Sequence, residues 1–172
     1  MRLRFSSQDM TSFEFPRRFS ACVIAFSTFA LVTDHGSRAQ CLERIHHHLE
    51  PGGLVLIDLP QSDTAAAHTQ RRFESRFMLP PWGHVVDKVV EERPIPESAS
   101  SAIHYEITVT RYTDGGLVDR LSVDFGLARL ERAEVERALY DGGFDVEQVF
   151  GDYLGHPCHV SSPRMVFQAR RL

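Results

Sequence analysis

The chain has 172 residues, of which 42% are hydrophobic and 24% charged, the balance of a soluble globular protein with one real core. Its net charge of −4 argues against nucleic acid as a partner, because a phosphate backbone requires a basic face. No apolar run approaches the roughly 18 residues of a membrane span, and MRLRFSSQDM lacks the apolar centre of a signal peptide. We therefore predict a cytoplasmic protein without membrane contact.

The N-terminal part of the chain predicts two strands followed by a helix. Arg2 to Phe5 is a short strand candidate that leads into a polar loop. Ser20 to Phe26 is an apolar run of strand length without polar alternation, which predicts a parallel strand covered on both faces. Between residues 37 and 50, apolar side chains recur at intervals of three and four, which predicts a helix with one buried face formed by Ala39, Leu42, Ile45 and Leu49.

A Pro-Gly-Gly turn separates this helix from a second apolar run. Pro51 is expected to stop the helix, and Gly52 and Gly53 supply the backbone freedom for the exit turn. Leu54 to Leu59 then predicts a second buried strand. A strand, a helix, a short turn and a strand make a βαβ unit, whose two strands should be parallel and whose crossover should be right-handed.

The second half of the chain favours antiparallel strands. Val85 to Glu92 is predicted to be extended, and Ser101 to Thr113 alternates apolar and polar residues. The turn at 114–116 precedes a second alternating run, so a hairpin with one covered face is expected. Its apolar face could cover a substrate, form a subunit contact or pack on its own sheet, and the last alternative is the simplest.

The C-terminal segment predicts a helix over Glu131 to Tyr140 and two strands over Phe144 to Phe150 and Arg164 to Ala169. Neither repeats nor a convincing linker interrupt the sequence. We therefore predict a single domain over residues 1–172.

Five stretches, taken in order, resemble class I S-adenosylmethionine-dependent methyltransferases. Each is weak alone, but their order and spacing extend over nearly the whole chain. They are Gln8-Asp9-Met10 with Phe13, FSACVIAFSTFALVT from Phe19, LERIHHHLEPGGLVLIDL from Leu42, GGFDVEQVFGDY from Gly142, and SPRMVFQARR from Ser162. The resemblance implies an α/β fold: a partial Rossmann-like methyltransferase sheet, equivalent to strands three to seven, with an antiparallel hairpin addition.

The chain also departs from that family at its front. The glycine-rich loop after the family's first strand is absent, and so is the acidic residue that ends its second strand. Because the family's sheet order is 3-2-1-4-5-7-6, the strand at Ser20 to Phe26 should have an open edge, and Arg2 to Phe5 should have no neighbour. We therefore expect a methyltransferase-like domain that is N-terminally incomplete, or one whose sheet is completed by a partner chain or a second copy.

Ligands of open α/β sheets bind beyond the carboxyl ends of the strands, which directs attention to a few residues. The resemblance implies S-adenosylmethionine as cofactor, with the Asp9 carboxylate accepting from the adenine amino group and the Met10 backbone reading the neighbouring ring nitrogen. Ala25, Phe26 and Ser27 would lie against the cofactor where their strand ends. The alternatives are a turn-forming or capping role for Asp9 and plain core packing for Ala25 and Phe26.

Methyl transfer requires little acid or base from the protein, because the cofactor carries the reactive group. Asp58, Tyr153 and His156 are the candidate general bases or substrate contacts, since the family's substrate pocket lies near these segments. A structural or solvent-facing role is the alternative for each of them, and the sequence assigns no catalytic residue.

His46, His47 and His48 do not predict a metal site, since successive helical residues point about 100° apart. Two functions therefore remain open. The first is a methyltransferase acting on a nitrogen or oxygen of a small molecule. The second is a non-catalytic, degenerate methyltransferase fold that serves as a binding or assembly module.

Overall fold

A computed structural model describes residues 3–61, 70–79, 84–95 and 102–172. The chain divides into two compact units. The first comprises the described residues within Met1–Ser62 and Leu130–Leu172, and the second those within Asp63–Arg129. The expectation of one N-terminally incomplete methyltransferase-like domain over residues 1–172 stays a prediction.

Eight strands, two α-helices and one short 3-10 helix make up the described residues. In chain order they are β1 (Phe19–Ile24), the 3-10 helix (Thr28–Leu31), α1 (His35–His48), β2 (Leu49–Pro60), β3 (Arg71–Leu79), β4 (His84–Ile95), β5 (Ala102–Thr113), β6 (Gly116–Ala128), α2 (Arg132–Asp141), β7 (Phe144–Phe150) and β8 (Arg164–Arg171). Neither α-helix of the described residues combines the length and the apolar character that a membrane span requires.

The first unit is built on a mixed sheet in the order β1-β2-β8-β7. β1 pairs with β2 in parallel, and β8 lies antiparallel to both β2 and β7. This order corresponds to strands 4-5-7-6 of the implied methyltransferase sheet, so the predicted βαβ unit and the partial Rossmann-like sheet are confirmed. β1 occupies an edge of this sheet, as expected.

Two predictions about the N-terminal strands are wrong. Residues 3–5 are not a strand, and Phe5 is 93% exposed, because no strand of the described residues pairs with them. Met1 and Arg2 lie outside the described residues. β1 is not covered on both faces: Val23 is 64% exposed while Ile24 is buried, since only one side of this edge strand packs on the core.

Helix α1 begins and ends two residues earlier than predicted. The Asp34 side chain caps its N-terminus by accepting from the Ser37 N–H at 2.8 Å. The helix ends at His48, ahead of Pro51, because Leu49 already has extended backbone angles. The buried face consists of Arg38, Cys41, Leu42, Ile45 and His48. Ala39 is exposed, contrary to the prediction, because the buried face extends from Leu42 toward Cys41 and Ile45, whereas Ala39 lies on the other side of Leu42 around the helix axis.

The Pro-Gly-Gly segment at the start of β2 leaves no room for a side chain at Gly53. Gly52 has a φ of 73°, a left-handed conformation that glycine adopts without strain. A Cβ on Gly53 would lie 2.9 Å from the Glu50 carbonyl oxygen and 3.2 Å from the Ser20 carbonyl oxygen. Both contacts are with backbone, so neither neighbour can rotate away.

The second unit is a four-stranded antiparallel sheet in the order β3-β4-β5-β6. It contains the predicted hairpin, with the turn before Gly116 and the extended segment around residues 85–92, and adds β3, which the sequence did not suggest. Register places Phe73, Val90, Ile107 and Val123 in one row. The predicted covering of this apolar face is incomplete, since Val123 is 47% exposed. The Ala-rich stretch at residues 64–67 and the Pro80-Pro81 pair lie outside the described residues.

Substitution of Gly53 by alanine should destabilise the first unit. We expect Gly53→Ala to lower the free energy of unfolding by about 1–3 kcal/mol, because the added methyl group overpacks two fixed carbonyl oxygens. Chemical denaturation monitored by circular dichroism measures this change. Gly115→Ala is the matched control, since its added Cβ would approach nothing closer than the Thr113 hydroxyl at 3.7 Å. Equal denaturation midpoints for Gly53→Ala and Gly115→Ala would contradict the close approach of the Glu50 and Ser20 carbonyl oxygens to Gly53.

Candidate functional site

Asp58, near the carboxyl end of β2, joins three chain segments at one buried carboxylate. Its Oδ2 accepts from the Phe26 backbone N–H at 2.9 Å and from the Tyr153 hydroxyl at 2.7 Å. Its Oδ1 accepts from Arg164 Nε at 2.5 Å, and the residue is only 5% exposed. The Arg164 guanidinium also lies over the Tyr153 ring, 5.2 Å from its centroid. The end of β2, the turn after β1, the loop after β7 and the start of β8 are therefore held together.

The turn that follows β1 has an unusual backbone. Phe26 and Ser27 have φ angles of 55° and 61°, which non-glycine residues rarely adopt. Asp58 stabilises this turn twice, because its carboxylate binds the Phe26 N–H and its carbonyl oxygen accepts from the Ser27 N–H at 3.1 Å. Such outliers concentrate at functional sites, where the surrounding structure imposes them. The Phe26 side chain is 87% exposed, so it is not a core residue.

The Asp58 carboxylate is poorly suited to be a general base. Burial alone would raise its pKa, but the hydrogen bonds from Arg164 and Tyr153, the charge of Arg164 and the Phe26 N–H outweigh burial and lower the pKa. The hydrogen bond to Asp58 in turn raises the pKa of the Tyr153 hydroxyl, which keeps its proton at neutral pH. Asp58 therefore acts as a fixed anion that orients its three donors.

The loop between β7 and β8 carries a second side-chain pair. Asp152 Oδ2 lies 2.6 Å from His156 Nδ1, while Asp152 Oδ1 accepts from the backbone N–H groups of Leu154 and His156. The loop is closed by the Gly151 N–H, which donates to the His156 carbonyl at 2.8 Å. The hydrogen bond from His156 is the largest cause of the lowered pKa of Asp152. This carboxylate is therefore ionised at neutral pH.

A groove of about 490 Å³ runs along β1 on its α1 side. Asp9, Met10 and Ala25 line it together with apolar and aromatic side chains, among them Phe13, Phe15, Cys22, Ile24, Cys41 and Ile45. Ala25 lines the groove and immediately precedes the turn that Asp58 holds. We call Asp58 and its hydrogen-bond partners Phe26, Ser27, Tyr153 and Arg164 the Asp58 cluster. The groove and this cluster therefore meet where Ala25 is followed by Phe26, two of the residues that the sequence indicated.

Asp9 adopts the turn-forming arrangement that was the alternative to a ligand contact. Its Oδ1 accepts from the Thr11 N–H at 2.7 Å and from the Thr11 hydroxyl at 2.5 Å, and these bonds lower its pKa. Oδ2 has no hydrogen-bond partner within the part of the chain that the structure describes. One carboxylate oxygen thus shapes the turn, and the other can accept a bond from a ligand in the groove.

Glu14, His47 and His48 also gather their potential ligand atoms within 4.8 Å of one another. Glu14 is paired with Arg44, and the Phe15 N–H donates to His48 Nε2 at 3.0 Å. These atoms are engaged in fastening residues 13–15 to α1, and a cation here would have to displace the arginine. The cluster is a structural contact, and its buried member, His48, lines the groove.

The fold resembles solved methyltransferases. An S-adenosylmethionine-dependent methyltransferase from Clostridium acetobutylicum ATCC 824 is 11% identical over 99% of this chain and 65% of its own, with a TM-score of 0.81. An amino pentose methyltransferase from Micromonospora echinaspora, solved with S-adenosylmethionine, is 18% identical over 96% of this chain and 63% of its own, with a TM-score of 0.72. A sugar N-methyltransferase from Streptoalloteichus sp ATCC 53650 is 20% identical over 95% of this chain and 60% of its own, with a TM-score of 0.74.

These likenesses confirm the predicted methyltransferase fold. This chain spans less than two thirds of the length of each of those proteins. No protein-family model and no curated protein sequence matches it.

The structure brings most of the sequence-predicted residues to one edge of the sheet. Asp9, Met10 and Ala25 share the groove, and Phe26, Ser27, Asp58 and Tyr153 share the hydrogen-bonded cluster. His156 contacts Asp152 instead of Asp58. Arg164 and Asp152 were missed. Arg164 pairs with a residue 106 positions away, so sequence offered no signal for it, whereas Asp152 and His156 are four apart in a loop and could have been noticed.

Replacing Asp58 by asparagine should destabilise the protein in a pH-dependent way. We expect Asp58→Asn to lower the free energy of unfolding by about 2 kcal/mol at pH 7, because the Arg164 charge loses its ionic partner and one acceptor oxygen is lost. The folded-state pKa of Asp58 is lowered, so its stabilisation is present above the unfolded pKa of about 3.9 and disappears as pH falls through the folded value.

Urea denaturation from pH 7 down to pH 2 measures this effect. The difference in the free energy of unfolding between the wild type and Asp58→Asn should be constant from pH 7 down to about pH 4 and should become smaller below pH 4. Asp114→Asn, at an exposed turn position, is the control and should track the wild type. A difference in the free energy of unfolding that increases as pH falls would contradict the ionised, hydrogen-bonded state of Asp58.

Proposed function

We propose that this chain forms the adenine- and acceptor-binding part of an S-adenosylmethionine-dependent methyltransferase that acts on a small molecule. The observation that carries the proposal is the meeting of the groove and the Asp58 cluster at Ala25 to Ser27, beyond the carboxyl end of β1. Open α/β sheets bind their ligands at this edge. The methyltransferase fold of the solved neighbours supports the same assignment.

The residues of the groove fit the adenine end of the cofactor. The free Asp9 carboxylate oxygen matches an amino donor, and the Met10 backbone can read an adjacent ring nitrogen. The apolar walls of the groove suit a flat aromatic base. Ala25, Phe26 and Ser27 would lie against the bound cofactor, and Asp58 fixes the backbone of Phe26 and Ser27. When bound, S-adenosylmethionine supplies an activated methyl group, and the protein must align it with the acceptor.

We assign the acceptor side to Tyr153, Asp58 and His156. Tyr153 is 65% exposed, so its ring and hydroxyl oxygen can contact a ligand while the hydroxyl group donates its hydrogen bond to Asp58. The neighbouring Leu154 is 83% exposed and adds apolar surface. Because two of the solved neighbours are described as amino pentose and sugar N-methyltransferases, we propose an amino sugar as the acceptor class.

We further propose that another polypeptide segment completes the sheet at β1. The edge of β1 opposite β2 carries no strand among the described residues, and exposed Val23 lies on it. Unpaired edges invite strand addition by a partner chain or by a second copy.

We place the protein in the cytoplasm, and the free state of Cys22, Cys41 and Cys158 is consistent with a reducing compartment.

Calorimetric titration with S-adenosylhomocysteine tests the cofactor assignment. We expect the wild-type chain to bind this product, and Asp9→Asn to weaken binding about tenfold, equivalent to about 1.4 kcal/mol. Asparagine can still form the turn to Thr11 but carries no charge for the adenine amino group.

Asp114→Asn is the control and should bind like the wild type, because Asp114 lies in the exposed turn of the second unit. Absence of binding heat for the wild-type chain would favour the non-catalytic binding or assembly module instead. Equal affinities of the Asp9→Asn and wild-type proteins would remove Asp9 from the site.

A further inference from the structure

We infer that Asp152 and His156 form a catalytic dyad in which His156 is the general base toward the acceptor and Asp152 is its positioning residue. This inference rests on the proposed function and extends it to the proton transfer. His156 Nδ1 lies 2.6 Å from Asp152 Oδ2. The Asp152 carboxylate is ionised and has no proton to give, so the hydrogen bond requires a proton on Nδ1. In the neutral ring the Nε2 lone pair is then free.

Strand register places this dyad at the same sheet edge as the Asp58 cluster. Asp58 pairs with Val166 across β2 and β8, and Phe150 pairs with Val166 across β7 and β8. The loop that follows Phe150 therefore begins level with Asp58. Tyr153, the third residue of that loop, donates to the Asp58 carboxylate at 2.7 Å, and His156 lies three residues further along.

The loop geometry fixes His156 while leaving its ring accessible. Asp152 accepts from the His156 backbone N–H at 3.2 Å as well as from its ring, so main chain and side chain are both held. An isolated bridge pairs Phe150 with Pro157 immediately after His156. The His156 side chain is nevertheless 68% exposed, which a base requires if it is to meet a ligand.

The other polar groups at this edge are less suited to accept a proton. Asp58 already accepts from three donors, one of which is the Arg164 guanidinium. The Tyr153 hydroxyl keeps its proton and donates it in the hydrogen bond to Asp58. Arg164 is permanently charged. Cys158 and His159 lie in the same loop, where the Cys158 thiol contacts the Arg164 carbonyl oxygen at 3.8 Å and the His159 backbone N–H donates to the Ser162 hydroxyl. Of the two loop histidines, His156 is the one whose ring the structure orients against a carboxylate.

The reaction requires a base because an amino sugar is largely protonated at neutral pH. The Nε2 lone pair takes one proton from the acceptor ammonium group, which leaves a neutral amine and an imidazolium ion facing Asp152. The amine nitrogen then uses its lone pair to form a bond to the methyl carbon as the carbon–sulfur bond breaks. The electrons of that bond stay on sulfur, so the sulfonium charge is neutralised and the methylated nitrogen becomes cationic.

Nitrogen NMR of the histidine rings tests the dyad without any turnover. At pH 8.5 we expect His156 to show the Nδ1–H form in the wild type, with Nε2 unprotonated. Asp152→Ala should shift the ring toward the Nε2–H form that free imidazole favours. Asp152→Asn should retain Nδ1–H, because its amide oxygen still accepts. A wild-type ring protonated on Nε2 would overturn the pairing.

Methyl transfer to D-glucosamine, followed with radiolabelled cofactor, tests the base assignment. His156→Gln should reduce the rate at pH 7 by about 100-fold or more. The loss should shrink as pH rises past about 8, where the amine is already deprotonated in solution. His159→Gln is the control in the same loop and should retain the wild-type rate. Asp152→Ala should lose part of the rate, and Asp152→Asn should lose less.

The possible outcomes separate this inference from the proposed function. A rate loss in His156→Gln that is equal at every pH, or a rate equal to wild type, would overturn the base assignment. A wild-type protein that binds S-adenosylhomocysteine but leaves D-glucosamine unmethylated would also overturn it while cofactor binding stands. A wild-type protein that fails to bind S-adenosylhomocysteine would remove the proposed function itself, and the NMR experiment would still report on the pairing.

Discussion

The parallel pairing of β1 with β2, fastened at its end by the Asp58 carboxylate, is the constraint on which the candidate site depends. Five register positions join the two strands, and Asp58 then binds the turn that follows β1. The same carboxylate holds Tyr153 and Arg164 from distant parts of the chain. A buried anion with three donors has a single arrangement in which all of them are satisfied, so it defines the geometry around it.

The sequence could predict the first unit because its signals are local. A buried strand ending in an acid, a helix with apolar residues at intervals of three and four, and a glycine turn between them leave few topologies open. The prediction failed where tertiary context decides. Ala39 lies in an apolar pattern, but the buried face of the helix is centred away from it, and no strand of the described residues pairs with Leu3 to Phe5.

The sequence predicted only some residues of the candidate site. Residues such as Asp58 and Ser27 could be found because they lie at the carboxyl ends of predicted strands, and the carboxyl ends of parallel strands meet at one edge. Arg164 could not be found in this way, since it begins an antiparallel strand whose partner lies over a hundred residues earlier. The role of Tyr153 likewise depends on a contact across the sheet, which no short pattern encodes.

The left-handed backbone at Phe26 and Ser27 has a consequence for how a ligand would be received. Two adjacent residues in this region store strain of about 1–3 kcal/mol each, which the folded structure sustains through Asp58. The conformational entropy of this segment is thus lost during folding rather than at the moment of association. A ligand that docks here meets a preorganised wall, so its affinity is not reduced by having to order that segment.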